Sequence, residues 1–419
     1  MWNGPSGSTL GAELHVAFPL IDRRRWAGGY NYLLNLCRVL DAYGTGRVRS
    51  VLFVGRDTPG EDTAPFQKLG ASVVVSALFN QQRKSRTLAS ALLLGLDPAV
   101  ERVFRESGIG LVFESALFFG WRSRVPAVAW FPDFQHRRLR HFFGVTGYWK
   151  RELGFRAQLW SGRTILLSSQ AAANDCAEFY RIPPNRIVVV PFAVMPPSSA
   201  ATVDVGAIRL KYGLPERFFY LPNQFYQHKN HALVIEALRL LKQRGSAPVV
   251  AASGARDDLR MPHYFDLLLG RVRELGLEEH FRFLDVIPYD DVVGLMRGCI
   301  AVINPSLFEG WSSTVEEAKS LGAALVLSDL AVHREQAPAR AIFFDPTKVD
   351  DLASALSEAE SRFAEKPCES EVAVETVRRI GEFAAKFEAL AIQAAGSRSG
   401  AQGLSQAGQR SGPEGPPLR

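Results

Sequence analysis

Short apolar runs alternate with amphipathic segments along the first half of the chain. Because the apolar runs are continuous, they are typical of parallel strands that are buried on both faces of a sheet. Residues 30–41, between the first two runs, have the periodicity of a helix. This repeated winding of strand and helix predicts an α/β fold. The predicted strands of this half are residues 14–18, 51–54, 72–75, 111–113, 127–130, 164–168 and 187–191.

A second alternation follows a break at residues 193–205, where prolines, serines and small residues predict a linker. The sequence therefore predicts two α/β domains, at residues 1–195 and 205–370, followed by a C-terminal helix at residues 371–395. The predicted strands of the second half are residues 218–221, 249–252, 282–284, 301–304 and 325–328. The predicted helices are residues 231–243, 264–275, 290–297, 314–321 and 371–394.

Two segments differ from this pattern. Residues 396–419 are rich in Gly, Ser, Gln and Pro, so burial cannot offset the entropy of ordering them, and we expect a disordered tail. Residues 80–87 are polar and basic and predict a mobile loop. Elsewhere, ligands of open α/β sheets bind beyond the carboxyl ends of the strands. The cleft between two such domains is therefore expected to hold the functional residues.

Composition and charge narrow the range of partners. The chain has 419 residues, of which 47% are hydrophobic and 22% charged, an ordinary globular mixture that is too long for one core. Its net charge of +6 favours anionic partners such as phosphates or an acidic membrane surface. No basic stripe with interleaved aromatic residues runs along the sequence, which argues against nucleic acid as a partner.

The four cysteines, Cys37, Cys176, Cys299 and Cys368, are scattered along the chain. Their spacing argues against a zinc site or a disulfide scaffold and fits a reducing compartment. The first residues lack a basic segment followed by an apolar run, and no apolar run is long enough to span a membrane. We therefore expect a cytoplasmic protein, and peripheral attachment to the inner face of a membrane is left open.

The sharpest chemical signal lies between the predicted strand at residues 301–304 and the helix that follows it. Ser313 and Glu316 have the spacing of a capping box, which predicts that the helix begins there. Free N–H groups and the helix dipole at that start suit a phosphate or a polar sugar oxygen, so Ser313 is a candidate binding residue. Glu309 then lies in the loop, next to Gly310, whose missing side chain lets a ligand approach the backbone.

The alternative for these residues is a solvated loop glutamate followed by an ordinary acidic first turn. The whole pattern resembles the E-x7-E motif of glycosyltransferase family 4, whose members are retaining glycosyltransferases with the GT-B fold. The resemblance implies that Glu309 is a catalytic residue that contacts the donor sugar, and that Glu317 binds the nucleotide ribose. It also implies that backbone amides of Gly310, Trp311 and Ser312 hold the sugar and phosphate. Trp311 and Ser312 replace a common Phe-Gly pair, which is expected to alter the sugar pocket.

A basic residue follows the first predicted strand of the second domain. Lys229 precedes the helix at residues 231–243, where a cation and free amides can share a diphosphate; a solvated lysine is the alternative. In the resembling family an Arg usually lies five residues before this Lys. Here Gln224 occupies that position and is assigned to the substrate site. Either Lys229 acts with the helix N-terminus alone or another Arg substitutes. His228 and His231 lack an acidic or Cys ligand nearby in sequence, so we expect no metal there.

The resemblance assigns further binding residues on weaker signals. Ile287 and Pro288, in the loop after residues 282–284, match positions that pack on the nucleobase, although an ordinary β–α loop is the alternative. In the first domain, Gly28 and Gly29 lie at a predicted helix start and match the loop that meets the donor phosphate and the acceptor. A tight turn is the alternative for the two glycines.

Two more segments of the first domain follow predicted strands. Asp133, Gln135 and His136 belong to a segment that a subset of the family carries, which implies that they face the cleft near the donor sugar or the acceptor hydroxyl, Asp133 and His136 as catalytic candidates. A packed or surface histidine is the alternative for His136. Residues 168–170 resemble the edge of the family's acceptor domain. Residues 23–25, all arginine, could touch a phosphate, an acidic acceptor or a lipid head group, or be merely solvated.

By this resemblance the chain is expected to have the GT-B fold, with two Rossmann-like α/β domains facing a cleft, and to transfer a sugar with retention of configuration. The donor is expected to be a GDP- or UDP-sugar, with mannose the first candidate, and the acceptor a surface polysaccharide or a lipid-linked oligosaccharide. The sequence has no Asp-x-Asp of the kind that holds a metal–nucleotide-sugar complex, so we expect no metal or other cofactor. A sugar-nucleotide-binding protein without transfer activity and a GT-B nucleotide-sugar epimerase are the alternatives.

Overall fold

The computed structural model describes residues 13–115, 117–258 and 260–407. Its framework is two parallel β-sheets, one on each side of the predicted linker. The strands of the first sheet are β1 (Leu14–Pro19), β2 (Val48–Val54), β3 (Ser72–Val75), β4 (Leu111–Glu114), β5 (Ala127–Trp130), β6 (Thr164–Leu167) and β7 (Ile187–Val189). Those of the second sheet are β8 (Phe219–Leu221), β9 (Val250–Ala252), β10 (Phe281–Phe283), β11 (Val302–Asn304), β12 (Leu325–Ser328) and β13 (Ala341–Phe344).

Helices connect these strands and cover both sheets. Those of the first half are α1 (Ala27–Tyr43), α2 (Gly60–Gln67), α3 (Lys84–Leu93), α4 (Pro98–Glu106), α5 (Gln135–Arg138), α6 (Val145–Trp160) and α7 (Gln170–Tyr180). Those of the second half are α8 (Val205–Lys211), α9 (His231–Gln243), α10 (Tyr264–Glu274), α11 (Tyr289–Gly298), α12 (Ser313–Ser320), α13 (Ala331–Glu335), α14 (Val349–Arg362) and α15 (Glu369–Ala407). Within the described residues, no helix is both long enough and apolar enough to cross a membrane.

Both sheets have a doubly wound order, which confirms the predicted α/β fold class. The first sheet runs β3-β2-β1-β4-β5-β6-β7, and the second runs β10-β9-β8-β11-β12-β13. The winding reverses between β1 and β4 in the first sheet and between β8 and β11 in the second. Because crevices form at such reversal points, beyond the carboxyl ends of the strands, the loops after β8 and β11 are where a ligand site is expected.

The prediction of a mobile loop at residues 80–87 is wrong, because this segment has regular structure. Asn80 Oδ1 accepts a hydrogen bond from Arg56 N at 2.8 Å, and Asp57 Oδ2 accepts one from Gln81 N at 2.8 Å. Helix α3 begins within the segment. The stabilising partners lie 24 positions earlier in the chain, so the local polar composition does not reveal them.

The last helix, α15, is longer than predicted and packs on the first domain. The sequence predicts its end at residue 395, but the helix continues to Ala407. The prediction of a disordered tail at residues 396–419 is therefore wrong for residues 396–407, which are helical. No proline interrupts the helix there. Residues 408–419 of that predicted tail lie outside the described part. Phe383 and Phe387 of α15 are buried in the core of the first sheet.

Both domains hold the segment that connects them. Asn35 of α1 donates from Nδ2 to Ala193 O at 2.8 Å and accepts from Met195 N at 3.0 Å. Ser320 of α12 donates to Val194 O at 2.8 Å. The start of the predicted linker is thus fixed between a helix of the first domain and a helix of the second.

Candidate functional site

Two loops that follow adjacent strands meet at the edge of the second sheet. Lys229 follows β8 and Glu309 follows β11. Lys229 Nζ donates a hydrogen bond to Glu309 Oε1 at 2.6 Å. Leu307 N donates to His228 O at 2.8 Å, which ties the two loops together. Two residues that the sequence indicates separately therefore form one ion pair.

This ion pair is largely shielded from water, since the side chains of Lys229 and Glu309 are 17% and 11% exposed. Burial by itself raises the pKa of Glu309, but the charges of Lys229 and His333, with hydrogen bonds from Lys229 and Ser306, lower it to about 2. The Ser306 hydroxyl lies 2.7 Å from Glu309 Oε1 and 2.7 Å from Asn304 Oδ1, and donates to one of them at a time. Glu309 is therefore ionised at neutral pH.

The N-terminus of α12 lies in the same loop, one residue from the predicted position. Ser312 caps the helix, because its hydroxyl accepts a hydrogen bond from Val315 N at 3.4 Å. The predicted capping box of Ser313 and Glu316 is wrong. Glu316 pairs instead with Arg379 of α15, and Ser313 is the exposed first residue of the helix.

Some backbone amides of this loop are candidates for binding an anion. Within the described residues, the N–H groups of Gly310, Trp311 and Ser313 have no hydrogen-bond partner. The Ser312 N–H differs, because it donates to Gln336 Oε1 at 3.3 Å. The expectation that the Ser312 amide holds the donor is therefore not met in this structure, whereas the other three amides are free to do so.

Glu317 is the fifth residue of α12 and faces the loop after β10. Tyr289 OH donates to Glu317 Oε1 at 3.1 Å. Burial raises the pKa of Glu317 to about 7, and the hydrogen bond from Tyr289 offsets only part of that effect. Ile287 and Pro288 immediately precede Tyr289. The structure therefore brings together the residues to which the sequence assigns the ribose and the base.

Gly310 and Trp311 contact the first domain directly. A Cβ atom on Gly310 would lie 2.0 Å from Pro132 O, so glycine is required for this approach of the two backbones. The Gly310 carbonyl accepts a hydrogen bond from Ser169 Oγ at 2.8 Å. Trp311 Nε1 donates to Phe192 O at 2.9 Å, and its ring packs against the core of the first sheet. The Trp311 side chain therefore anchors the two domains, rather than altering a sugar pocket as expected.

Two more side chains of the second domain reach the first. The Glu335 carboxylate accepts hydrogen bonds from Gln170 N at 2.6 Å and Ala171 N at 3.1 Å. These amides open α7, where the helix dipole favours a negative charge. Arg260 Nη1 donates to Gln135 Oε1 at 3.1 Å. Together with the contacts of the Gly310 loop, these bonds join the two domains.

Arg260 is a cation near the site that the sequence analysis missed. It follows β9, and its Nη2 lies 3.5 Å from Nδ1 of His228, the neighbour of Lys229. Asp258 orients it by accepting a hydrogen bond from Arg260 Nε at 3.0 Å. A cavity of about 260 Å³ is lined by Arg260, His228 and the loop after α5. Gln224 makes no side-chain hydrogen bond within the described residues. Arg260 is the candidate substitute for the cation expected at that position.

The two histidines considered as metal ligands have different surroundings. His231 is fully buried, and its ring centroid lies 4.7 Å from that of Phe225. Burial lowers the pKa of His231 and that of His228 to about 3, so both are neutral at physiological pH. Among the residues that the structure describes, no group of three or more His, Cys, Asp or Glu side chains is placed to hold a metal ion.

Asp133 and His136 occupy different environments. Asp133 lies against Gly310 at the domain boundary and accepts a hydrogen bond from Arg151 Nη2 at 2.8 Å. His136 is fully buried in the first domain, with Nε2 3.2 Å from Glu152 Oε2, and burial lowers its pKa to about 4. The expectation that His136 faces the cleft is therefore wrong, because Glu152 and aromatic rings hold it inside the domain. Asp133 is the one of the two that can reach a ligand.

Gly28 and Gly29 lie in the first turn of α1. The side chain closest to Gly29 is that of Trp26, which directly precedes the helix. A Cβ atom on Gly29 would lie 2.5 Å from the Trp26 ring. Trp26 in turn stacks on Trp130, with ring centroids 5.4 Å apart. Packing of Trp26 therefore accounts for Gly29, whereas Gly28 is exposed and stays a candidate for ligand contact.

The second domain matches a known family. Residues 208–369 match the model of the family described as Glycosyl transferases group 1. The second domain is therefore similar to the group 1 glycosyl transferases over these residues. The chain is also 27% identical over 203 residues to the serotype-specific mannosyltransferase WbdA of Escherichia coli. This match covers 46% of the chain but only 24% of the relative, so the chain spans about a quarter of the length of WbdA.

Solved structures match the glycosyl transferase fold over both domains. A glycosyltransferase from Rickettsia africae is 14% identical, with a TM-score of 0.63, and the match covers 92% of this chain and 99% of that chain. HepE of Anabaena, solved in complex with UDP, is 16% identical, with a TM-score of 0.59, and the match covers 95% and 100% of the two chains. These likenesses confirm the GT-B fold. Membership of family 4 and the retaining mechanism stay predictions.

Proposed function

We propose that the protein is a glycosyltransferase that moves a sugar from a nucleoside-diphosphate sugar to a saccharide or lipid-linked saccharide acceptor. The observation that carries this proposal is the Lys229–Glu309 ion pair beside the free amides of Gly310 and Trp311, in the domain that is similar to the group 1 glycosyl transferases. A departing diphosphate carries negative charge, and the anomeric carbon that it leaves develops positive charge. Lys229 and the amides suit the diphosphate, and the Glu309 carboxylate suits the sugar.

The other residues at this edge suit the nucleotide part of a donor. The Glu317 carboxylate can accept hydrogen bonds from the ribose hydroxyls, and Ile287 and Pro288 offer a surface for the base. Arg260 supplies a second cation for the diphosphate in place of the Arg that Gln224 replaces. The UDP bound to Anabaena HepE, a protein of the same fold, supports a nucleotide as the ligand.

Mannose is the first donor sugar to test. The similarity to the mannosyltransferase WbdA supports this choice, although the match covers a limited part of that protein. A second structure of HepE contains UDP and glucose, which makes UDP-glucose the next candidate. Transfer proceeds with retention of configuration and without a metal ion in this proposal. The acceptor is a surface polysaccharide or a lipid-linked oligosaccharide.

A transfer assay tests the proposal. The full-length chain is incubated with GDP-mannose or UDP-sugars, with oligosaccharide and lipid-linked acceptors, in the presence of EDTA. We expect one donor to yield a glycosylated acceptor with the anomeric configuration of the donor, detected by NMR. Glu309→Gln should lower turnover by about a hundredfold or more, since it removes a charge that the transition state needs. Glu279→Gln, at a solvent-exposed carboxylate of the same domain, is the matched control.

Three results would count against the proposal. Donor binding without transfer to any acceptor would favour a binding protein. Interconversion of the donor sugar without an acceptor would favour an epimerase. Product of inverted configuration would leave a glycosyltransferase but refute the retaining mechanism.

A further inference from the structure

Helix α6 of the first domain exposes large apolar side chains on one face. Val145, Trp149, Leu153 and Trp160 are between 51% and 77% exposed. Their spacings of four, four and seven residues place them along one stripe of the helix. Two exposed tryptophans on such a stripe are unusual on a surface that faces only water.

The end of α3 and the loop after β4 continue this apolar surface. Residues 92–94, all leucine, are between 51% and 81% exposed, and Trp121 is 53% exposed. Arg122 N donates a hydrogen bond to Gly95 O at 2.8 Å, which holds Trp121 beside the end of α3. The guanidinium of Arg122 lies over the Trp121 ring, 5.7 Å from its centroid.

The same loop adjoins the C-terminal end of α6. Gln158 Nε2 donates to Leu117 O at 3.3 Å, and Arg163 Nη2 donates to Gly120 O at 2.7 Å. The end of α3, the loop after β4 and α6 are therefore neighbours. We call their exposed apolar and basic residues the apolar–basic face; it comprises Arg86, residues 92–94, Trp121, Arg122, Val145, Trp149, Lys150, Leu153 and Trp160.

The charged residues of the face itself are basic. Residues 80–96, 117–128 and 134–160 contain eleven Lys and Arg residues and a single acidic residue, Glu152. The Glu152 side chain is 1% exposed and is paired internally with Arg137. Within the described residues, no acidic partner is found for Arg86, Arg122 or Lys150, the basic residues of the face. Five of the eleven are paired with carboxylates, namely Arg83, Arg137, Arg138, Arg151 and Arg156. The uncompensated positive charge on the face is therefore that of Arg86, Arg122 and Lys150.

We propose that the first domain docks on the anionic surface of a lipid membrane through the apolar–basic face. Tryptophan rings favour the boundary between head groups and acyl chains, and Lys and Arg side chains are attracted by anionic lipids. A bilayer surface satisfies both features of the face at once. The face contains none of the residues assigned to the cleft, so this inference does not depend on the transfer reaction.

Flotation of the full-length chain with lipid vesicles tests the docking surface. One set of vesicles is phosphatidylcholine alone, and the other contains about 30% phosphatidylglycerol, which supplies the negative surface potential. We expect binding to the anionic vesicles. Trp149→Ser/Trp160→Ser should reduce the partition coefficient about tenfold or more, since each ring buries apolar area in the membrane. Arg122→Gln/Lys150→Gln should reduce it about fivefold per charge, on the anionic vesicles only.

The control variant is Leu210→Ser/Leu267→Ser, which replaces two exposed leucines of the second domain, 68% and 60% exposed. It should bind vesicles as the wild type does, and all variants should keep the wild-type melting temperature because the altered side chains are exposed. Absence of wild-type binding to anionic vesicles would overturn the proposal. A Trp149→Ser/Trp160→Ser variant that still floats with vesicles but no longer self-associates in gel filtration would also overturn it. The face would then join two copies of the chain.

Discussion

The charge on Glu309 depends on a neighbouring cation. Both side chains of the Lys229–Glu309 pair are mostly shielded from water, and burial by itself would raise the pKa of the carboxyl group. The ammonium group lowers that pKa instead, so Glu309 stays ionised at neutral pH. Removal of one partner would leave a poorly solvated charge behind, which destabilises the site as well as its ligand complex. A diphosphate that binds here therefore shares Lys229 with Glu309.

The proposed contact of Glu317 with the ribose predicts that the affinity for a donor depends on pH. Its pKa of about 7 means that the carboxyl group is largely protonated at pH 6 and ionised at pH 8. Ribose hydroxyls donate hydrogen bonds best to the ionised form, so affinity should rise with pH. We expect Kd for a sugar nucleotide to be about tenfold lower at pH 8 than at pH 6. Calorimetric titration with GDP-mannose or UDP-glucose, whose diphosphates do not titrate in this range, measures the change.

Glu317→Gln is the control for this dependence, because the amide does not titrate. The variant should bind more weakly than the wild type at pH 8 and show a flat profile between pH 6 and pH 8. An equally steep profile in this variant would assign the titration to another group.

Sequence patterns identify some site residues because local spacing determines their positions. Lys229 and Glu309 lie 80 positions apart, but each lies in the loop after a recognisable buried strand, so their shared edge follows from the fold. Arg260 follows a strand too, yet no spacing distinguishes it from other surface arginines. His136 is buried against Glu152, which belongs to a different helix. The sequence does not indicate that these two residues are neighbours.

At the scale of one element, the start of α12 tests the capping assignment. Ser312→Ala removes the hydroxyl that accepts from Val315 N, and should lower the opening free energy of the first turn by about 1 kcal/mol. Ser313→Ala, at the exposed neighbouring position, should change it by less than about 0.5 kcal/mol. Hydrogen exchange of the α12 amides measures both values. A larger effect at Ser313 would restore the capping box that the sequence predicts.

Strands were easier to predict than helices for a physical reason. Parallel strands buried on both faces are continuous apolar runs, and the sequence predicts twelve of the thirteen strands from such runs. The strand that was not predicted is β13, which is also apolar and lies at the edge of the second sheet. Helix α6 contains Gly147 and Gly154 and turns apolar residues outward, so its periodicity does not indicate a buried face. Helix α3 begins in a polar segment whose partners lie far away in sequence.

At the scale of the whole molecule, Gly310 controls how closely the domains approach. In Gly310→Ala the added Cβ atom would lie 2.0 Å from Pro132 O, so the domains must separate. The hydrogen bonds from Gln170 N and Ala171 N to Glu335 should then weaken, and these amides should exchange faster in hydrogen-exchange experiments. Gly270→Ala, where the added atom meets nothing within 4 Å, should leave exchange at α7 unchanged. Unchanged α7 protection in Gly310→Ala would show that the domains tolerate the added atom.

The arrangement of the two domains is the part that sequence patterns describe least. The contacts that fix it join residues far apart in the chain, such as Trp311 with Phe192 and Glu335 with the start of α7. The long helix α15 leaves the second domain and buries Phe383 and Phe387 against the first sheet. Periodicity predicts that such a helix exists, but it does not indicate which domain receives its apolar face.

Binding of sugar nucleotides by the full-length chain tests the central claim most directly. GDP-mannose and UDP-sugars are titrated calorimetrically into the wild type, into Lys229→Ala and into Lys348→Ala, whose lysine side chain is 69% exposed on the same domain. We expect at least one sugar nucleotide to bind the wild type and Lys348→Ala equally, and to bind Lys229→Ala at least about tenfold more weakly. If no sugar nucleotide binds the folded wild type, or Lys229→Ala binds it equally well, the loops after β8 and β11 are not a donor site.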